Sequence, residues 1–444
     1  MKRKTVRILI HTILICLIAS ATINGQTGND VNVPEDSLSL DWIIQQIVVH
    51  HPVVQSTKEA LNQADAQVGL AKSGYYPNID FSAGLSDVGP VPSLDIPDLG
   101  SFSLFPRNNI SGEVNVRQNI YDFGRTAQNV AFAGQGKAIA EQSLEQVKQN
   151  MALKAVQIYY TLDYLQEAII IKAEQLETLQ EHLDYVQKKE ATGSATNYEI
   201  LSTKVKISGI ETQQLDLEAT RDIQLSILNS LLGLPTKTYH TVKSVLNIKQ
   251  PDIGGDSLIS HALKNRDEMV IARDKEGLAS MHLDAVKLQT KPSLNFIANG
   301  GLKNGYIPEL NKMRANYVVG LGLNVPIFDA TRTKYNLLQA QSAVETSSLQ
   351  TEITRRNISS EVVANETNIR TAIKEVKQAK MQLEQAQEAL TLAQTSYASG
   401  VITNLDLLDA TTAVSESKLT LLKSQIGYVV NVYKLKASLG ERLY

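Results

Sequence analysis

The sequence contains two copies of one pattern, and this internal repeat restricts the possible folds more than any other feature. An offset of 207 positions aligns residues 191–197 with residues 398–404. Nearer the N-terminus, an offset of 215 positions aligns Pro77 with Pro292. The register passes through Gly, Pro and Asn positions, which a chance similarity between helices would not preserve. We therefore expect two copies of one structural unit, with a longer loop in the first copy within residues 87–109.

The prolines mark where long helices can lie, because proline interrupts a helix interior. No proline occurs between Pro106 and Pro235, and none follows Pro326. These stretches predict two long helices, at about residues 124–192 and 331–399, each ~100 Å long at a rise of about 1.5 Å per residue. In the first helix, apolar residues recur with the period of a left-handed coiled coil and predict its buried stripe. They are Leu144, Val147, Met151, Ala155, Ile158, Leu162, Leu165, Ile169, Ala173, Leu176, Leu179, Leu183 and Val186.

Four segments alternate apolar with polar or small residues and predict β-strands. They are residues 79–85, 110–117, 294–302 and 317–325. About nine alternating residues are typical of a tilted strand that crosses a membrane. Four strands are too few to close a barrel, and lipid excludes open strand edges. The predicted fold class is therefore mainly α with a membrane β-barrel, in which three chains pool four strands each into a twelve-stranded barrel.

The N-terminus has the features of a secretory signal peptide. Basic residues within positions 2–7 precede an apolar stretch at residues 8–21, which is too short to span a bilayer. We predict cleavage after Gly25, so that residues 1–25 are a signal peptide and the protein is exported; a retained membrane anchor is the alternative. The rest of the chain is predicted to comprise a first repeat at 36–235, a linker at 236–255 and a second repeat at 256–444.

Composition argues against several function classes. Lys and Arg number 43 against 46 Asp and Glu, and the resulting net charge of −3 gives no electrostatic basis for binding nucleic acid. The single cysteine, Cys16, allows neither a disulfide framework nor a cysteine-rich metal site. Residues 134–137 resemble part of a phosphate-binding loop but lack its first glycine and its final Ser or Thr. We expect no enzyme activity, no cofactor and no bound metal.

Each repeat contains one short motif between two predicted helices. It reads Gly, two residues, Thr, Asn, one residue and an acid: Gly193, Thr196, Asn197 and Glu199, then Gly400, Thr403, Asn404 and Asp406. A left-handed glycine ends a helix, and Thr with an acid three residues later forms a capping box at the start of the next. The motif therefore predicts two tight helical hairpins, and capping alone accounts for both acids. Asp409 aligns with Ser202, so capping does not account for it; a functional charge and a solvated helix face are both open readings.

These features together resemble the TolC family of outer membrane efflux channels over almost all of the chain that follows the signal peptide. The resemblance is carried by residues 119–125 and 325–329, at the two strand-to-helix junctions, and by residues 397–412, at the second hairpin. It implies a homotrimer in the outer membrane, whose twelve-stranded barrel continues as a twelve-helix coiled-coil α-barrel through the periplasm. It also implies a passive exit duct that works with a periplasmic adaptor (membrane fusion) protein and an inner-membrane pump of the RND or ABC type.

The resemblance also assigns roles to the hairpin residues. Asp406 and Asp409 match acidic positions at the periplasmic entrance, and Tyr397 and Glu199 match a polar network that holds the entrance shut. The hairpin tips, with Gly193, Thr196, Asn197, Gly400, Thr403 and Asn404, match the region where the adaptor docks. Where the family often has Arg two residues after the second tip glycine, this chain has Ile402. The network is therefore expected to lack one charge-assisted hydrogen bond.

Two other functions are compatible with parts of the sequence. An exported coiled-coil structural or adhesive protein without a pore would explain the signal peptide and the long helices. It would not explain four strand segments that recur in phase. The same channel could also serve type I protein secretion, because the pump and the adaptor select the cargo.

Overall fold

Both repeats form the same succession of elements: two helices, two long strands, a very long helix and a shorter returning helix. A computed structural model describes residues 37–98, 100–243 and 255–444. The predicted signal peptide, residues 1–25, and the part of the predicted linker at residues 244–254 lie outside the described residues. Residues Leu38–Tyr444 form one compact unit.

The first repeat contains four helices and four strands. Its elements are α1 (Leu40–His50), α2 (Pro52–Ser73), β1 (Asn78–Asp87), β2 (Ser93–Ile96), β3 (Gly100–Ser103), β4 (Asn108–Tyr121), α3 (Arg125–Ala191) and α4 (Asn197–Leu232). The small antiparallel pair of β2 and β3 lies inside the segment expected to be a loop. That expectation was wrong in part, since the longer first connection forms a hairpin of its own.

The second repeat contains the matching helices and the two long strands. Its elements are α5 (Gly255–Asn265), α6 (Asp267–Leu288), β5 (Ser293–Lys303), β6 (Arg314–Asn324), α7 (Arg332–Ala398) and α8 (Asn404–Ser438). The long helices α3 and α7 have 67 residues each, and each ends within a residue of its predicted limits. None of the helices in the described part of the chain is long and apolar enough to cross a membrane.

The four long strands form one antiparallel sheet in the order β1-β4-β5-β6. The predicted strands are thus confirmed, and β4 joins β5 so that one sheet connects the two repeats. Alternate side chains divide the sheet into an apolar face, with Phe81 and Leu321, and a polar face, with Asn115 and Asn316. On the polar face the Asn115 amide donates to the Asp80 carboxylate over 2.9 Å.

Helix α3 is the centre of the helical part and contacts α1, α2, α4, α6 and α8. Most of its predicted apolar stripe is buried, but the stripe is misplaced between Leu165 and Leu179. In that stretch Lys172 and Gln175 are buried and Ala173 is exposed. Between Leu165 and Leu179, two neighbouring faces of the helix each offer residues spaced three or four positions apart. The face that is buried carries the polar residues Lys172 and Gln175, not the apolar residues of the predicted stripe. The Lys172 ammonium donates to the Gln175 amide oxygen over 3.2 Å, so the two buried polar side chains are partners of each other.

Candidate functional site at the helical hairpin tips

The first hairpin tip follows the predicted capping chemistry. Helix α3 ends before Gly193, whose φ of 74° is left-handed. Thr196 is the N-cap of α4, and its hydroxyl accepts a hydrogen bond from the Glu199 backbone N–H over 3.4 Å. In return, the Glu199 carboxylate accepts the Thr196 backbone N–H over 3.2 Å. Both partners of the capping box are therefore in place, as the motif predicts.

The second tip repeats this arrangement. Gly400 has a φ of 78°, and Thr403 is the N-cap of α8. The Thr403 backbone N–H donates to the Asp406 carboxylate over 2.8 Å, and the Thr403 hydroxyl accepts from the Asp406 N–H over 3.3 Å. Hydrogen bonds from the Thr403 hydroxyl and N–H lower the pKa of Asp406, because they stabilise its ionised form. Asp406 is exposed and therefore carries its negative charge at neutral pH.

A buried tyrosine connects the two tips. Tyr397, on the last turn of α7, is 6% exposed, and its hydroxyl donates to the Glu199 carboxylate over 2.8 Å. Burial raises the pKa of Tyr397, and the adjacent Glu199 carboxylate raises it further. The phenol therefore remains protonated and keeps donating across the range of physiological pH. This bond links the second repeat to the first through two of the predicted site residues.

Asn404 forms the second connection between the tips and lies almost fully buried. Its amide N–H groups lie 3.2 Å from the hydroxyls of Ser202 and Thr203, and its carbonyl oxygen lies 2.6 Å from His182 Nε2. Asn197, which occupies the same place in the first motif, is exposed. The two tips are therefore equivalent in backbone and capping but different in their side-chain contacts, because only the second Asn enters the space between the hairpins.

Three side chains of α3 complete the network, and sequence reasoning missed all of them. Lys189 Nζ lies 5.4 Å from the ring centroid of Tyr185 and 4.9 Å from that of Tyr397, distances at which a cation is attracted to an aromatic face. The ring of His182 lies 5.4 Å from that of Tyr397. The spacing of His182, Tyr185 and Lys189 places them on one helix face, which was the available signal.

Asp409 lies outside this network. The Asp409 carboxylate is 64% exposed and lies 3.6 Å from Lys206 Nζ, a loose ion pair between α8 and α4. Ile402 is half-buried. Among the described residues, no group of three or more His, Cys, Asp or Glu side chains is arranged to hold a metal ion. The tips therefore present the exposed carboxylates of Asp406 and Asp409 around a buried polar network.

An apolar layer supports the network on its helix side. Leu179, Leu183, Ile207, Ile210 and Leu408 form a buried cluster between α3, α4 and α8. These side chains pack the helices that carry His182, Glu199 and Asn404 against one another.

Comparison with known proteins identifies both repeats in one family model. The model described as Outer membrane efflux protein matches residues 43–234 and 258–441. The chain is 20% identical over 427 residues to the outer membrane protein TolC of Escherichia coli K12, covering 90% of this chain and 82% of that protein. It is 21% identical over 334 residues to the alkaline protease secretion protein AprF of Pseudomonas aeruginosa, covering 74% of this chain and 69% of that protein.

A solved structure with the same fold is the outer membrane channel CmeC of Campylobacter jejuni. The two structures superpose with a TM-score of 0.78 over 90% of this chain and 85% of that one, at 16% sequence identity. The arrangement of strands and long helices is thus that of known outer membrane channels. The similarity extends over both repeats and the sheet that connects them.

Proposed function

This chain belongs to the outer membrane efflux protein family, and we propose that three copies of it form a passive exit duct through the outer membrane. The observation that supports assembly of several chains is that the sheet has two unpaired edges. In the described chain, β1 and β6 each pair with one neighbour only, so both outer edges expose unpaired backbone groups. A sheet in lipid must close on itself. Three sheets of four strands give a number within the range of known membrane barrels.

The two faces of the sheet fit this duct. Phe81 is 70% exposed, Leu85 78% and Leu321 66%, all on the apolar face of a single chain. A patch of this kind marks contact with lipid or protein. The opposite face carries Asn115, hydrogen-bonded to Asp80, and Asn316, hydrogen-bonded to Glu113, as suits a water-filled interior. The apolar face is therefore assigned to lipid and the polar face to the pore.

The hairpin tips are assigned to the periplasmic entrance, ~100 Å from the sheet by the length of α3 and α7. The relatives include a channel protein and a protease secretion protein, so the duct serves either efflux or protein export. In both uses, the tips with Gly193, Thr196, Asn197, Gly400, Thr403 and Asn404 dock a periplasmic adaptor that connects an inner-membrane pump. A gene for a resistance-type pump or for an ABC exporter beside this one would distinguish the two.

At the entrance, the bond between Tyr397 and Glu199 is proposed to hold the two hairpins of one chain in the closed arrangement. Three-fold symmetry would bring together three copies of Asp406 and of Asp409, whose carboxylates are exposed. A ring of acids attracts cations and can bind divalent ions. The Asp406 and Asp409 rings are therefore assigned to the constriction of the duct.

The acid rings can be tested by single-channel recording. Asp406→Asn combined with Asp409→Asn should reduce selectivity for cations and weaken the block by divalent ions. A matched control is Glu375→Gln combined with Glu384→Gln, which neutralises two exposed acids of α7 away from the tip. Unchanged conductance, selectivity and divalent block in the tip variant would contradict the assignment.

The duct itself is tested by negative-stain electron microscopy and mass measurement of the detergent-extracted protein. We expect a hollow particle with three-fold symmetry and the mass of three chains. Its helical part should extend ~100 Å beyond the membrane part. A solid rod would overturn the duct and favour an exported coiled-coil scaffold.

A further inference from the structure

The two repeats pair their strands in the same register. In the first repeat Asn78 lies opposite Arg117, and in the second Ser293 lies opposite Asn324. The first members of these pairs are 215 positions apart and the second members 207 positions apart, the offsets of the sequence repeat. The relation holds along the whole of both hairpins. The repeat therefore extends from sequence to backbone hydrogen bonding, strand by strand.

Within the chain, the repeats meet where β4 pairs with β5. There Val114 lies opposite Gly300 and Val116 lies opposite Ala298. The strand that corresponds to β4 in the second repeat is β6, and the strand that corresponds to β5 in the first repeat is β1. These are the two edge strands of the sheet.

We propose that β6 of one copy pairs with β1 of the next copy in the register that β4 and β5 use within the chain. The intersubunit pairs follow by moving each β4 residue forward by 207 positions and its β5 partner back by 215 positions. Leu321 then lies opposite Leu85 of the next copy, and Leu323 lies opposite Ala83 of the next copy. This inference rests on the proposed trimer and adds the residues by which its members join. The partner is a second copy of this chain.

The sheet faces support this register independently. Leu321 and Leu85 both lie on the apolar face, and Gly322 and Gly84 both lie on the polar face. A slip of one residue would place Leu321 opposite Ser86 or Gly84 and invert one face of the joined sheet. A slip of two residues would keep the apolar and polar faces aligned, so the faces alone do not exclude it. Among the registers that keep the faces aligned, we select the one that matches the pairing of β4 with β5 within the chain.

In the helical part, residues at equivalent positions of the two repeats differ in burial in the way that this pairing between copies predicts. Leu408 and Leu422 of α8 are 2% and 8% exposed, because α8 packs beside α3. Their counterparts on α4, Leu201 and Leu215, are 54% and 64% exposed. Likewise Val156 of α3 is fully buried, whereas Val363 of α7 is 49% exposed. The helices at the outer edges of one chain thus carry apolar side chains whose repeat counterparts are buried between the repeats.

The internal cluster indicates where these side chains pack in the trimer. Leu408 belongs to a buried cluster with Leu179 and Leu183 of α3. Moving those two residues by 207 positions gives Ala386 and Leu390 of α7. Leu201 of the next copy is therefore assigned to a contact with Ala386 and Leu390 of the first copy.

Cysteine cross-linking tests the register in the full chain, in outer membranes, under a mild oxidant. Directly opposite residues have Cα atoms roughly 4.5–5.5 Å apart, within the range of a disulfide, whereas diagonal neighbours lie about 7–8 Å apart. Leu321→Cys with Leu85→Cys should give covalent dimers and trimers on a denaturing gel without reductant. Leu323→Cys with Ala83→Cys, from the same register, provides a second pair should the first reduce yield.

Two competing pairs keep Leu85→Cys and shift the partner by two residues, namely Val319→Cys and Leu323→Cys. Neither should give covalent trimer above the background of the parent chain, whose one cysteine is Cys16. Val114→Cys with Gly300→Cys is the matched internal control and should cross-link within one chain without adding mass.

The outcomes separate this inference from the proposed function. Efficient cross-linking of either shifted pair, in a protein that retains the mass of three chains, would overturn the register and leave the trimeric duct intact. A parent protein with the mass of one chain, with no cross-linking of any intersubunit pair, would overturn the register and the trimer together.

Discussion

The contact between Tyr397 and Glu199 provides the sharpest test of the proposal that the hairpin tips form an entrance held closed by hydrogen bonds. Tyr397→Phe removes one hydroxyl and keeps the ring, so the contacts of that ring with Lys189 and His182 remain. The change therefore isolates the 2.8 Å hydrogen bond between the repeats. We expect the variant to fold and assemble as the parent protein does, and to open more readily.

The size of the effect follows from the surroundings of the bond. A hydrogen bond to a charged group contributes roughly 1.5–3 kcal/mol net. Glu199 is only half-buried and keeps its bond to the Thr196 N–H, so water can replace the lost donor and the lower figure applies. A loss of about 1.5 kcal/mol in one copy shifts the equilibrium between closed and open states roughly tenfold. If the three copies open together, their contributions add.

Single-channel recording in planar bilayers measures this shift as a higher open probability. The control is Tyr198→Phe, which removes the same hydroxyl from a neighbouring tyrosine that is 72% exposed. It should behave as the parent protein does. If Tyr397→Phe and Tyr198→Phe give the same open probability as the parent, the bond between Tyr397 and Glu199 does not hold the entrance closed.

Three further predictions concern stability and assembly. Asn404→Ala should lower the free energy of unfolding by about 1–3 kcal/mol, because buried partners lose their hydrogen bonds. Asn197→Ala, at the exposed equivalent, should change it by less than about 0.5 kcal/mol, and equal denaturation midpoints would contradict this. Gly301→Ala should prevent trimer assembly, because its Cβ would lie 2.1 Å from the Gly112 carbonyl oxygen and force β4 and β5 apart. Gly300→Ala, whose Cβ would lie 3.7 Å from its nearest neighbour, should assemble, and trimer recovery for both on native gels would refute the argument. Burial raises the pKa of Glu268, but the hydrogen bonds and charge of Arg266 lower it by more, so the net pKa is depressed. The ion pair with Arg266 therefore stabilises the folded state fully above the unfolded pKa of glutamate, about 4.3, and this contribution to the free energy of unfolding is lost as pH falls through the folded pKa. Glu268→Gln should therefore melt below the parent at pH 7 and approach it in acid, and a difference independent of pH would count against the ion pair.

Features that depend on neighbours in sequence were predictable. The limits of α3 and α7 follow from the absence of proline and from glycine at the tips, and the capping boxes follow from Thr and an acid three residues apart. The four long strands follow from alternation. All of these signals act within a few residues, so tertiary structure has little opportunity to override them.

Features that depend on packing were predicted less well. The buried face of α3 between Leu165 and Leu179 was misplaced, because periodicity permits two paths and only the neighbouring helices select one. The alternation of residues does not indicate the hairpin of β2 and β3, because its strands have only four residues each. Tyr397 and Glu199 were indicated only by the resemblance to a family, which did not say that they bond to each other, and His182, Tyr185 and Lys189 were missed.

The sequence by itself determined the repeat, the long helices, the strands and the capped tips, since each arises from local chemistry. It also set the two offsets that relate one repeat to the other. Only the tertiary structure decided which of the two equivalent asparagines is buried, and which repeat surfaces face one another within the chain. The physical reason is that His182 and Asn404 lie 222 positions apart and Tyr397 and Glu199 lie 198 apart. Contacts over such separations depend on how the helices pack, which no local pattern encodes.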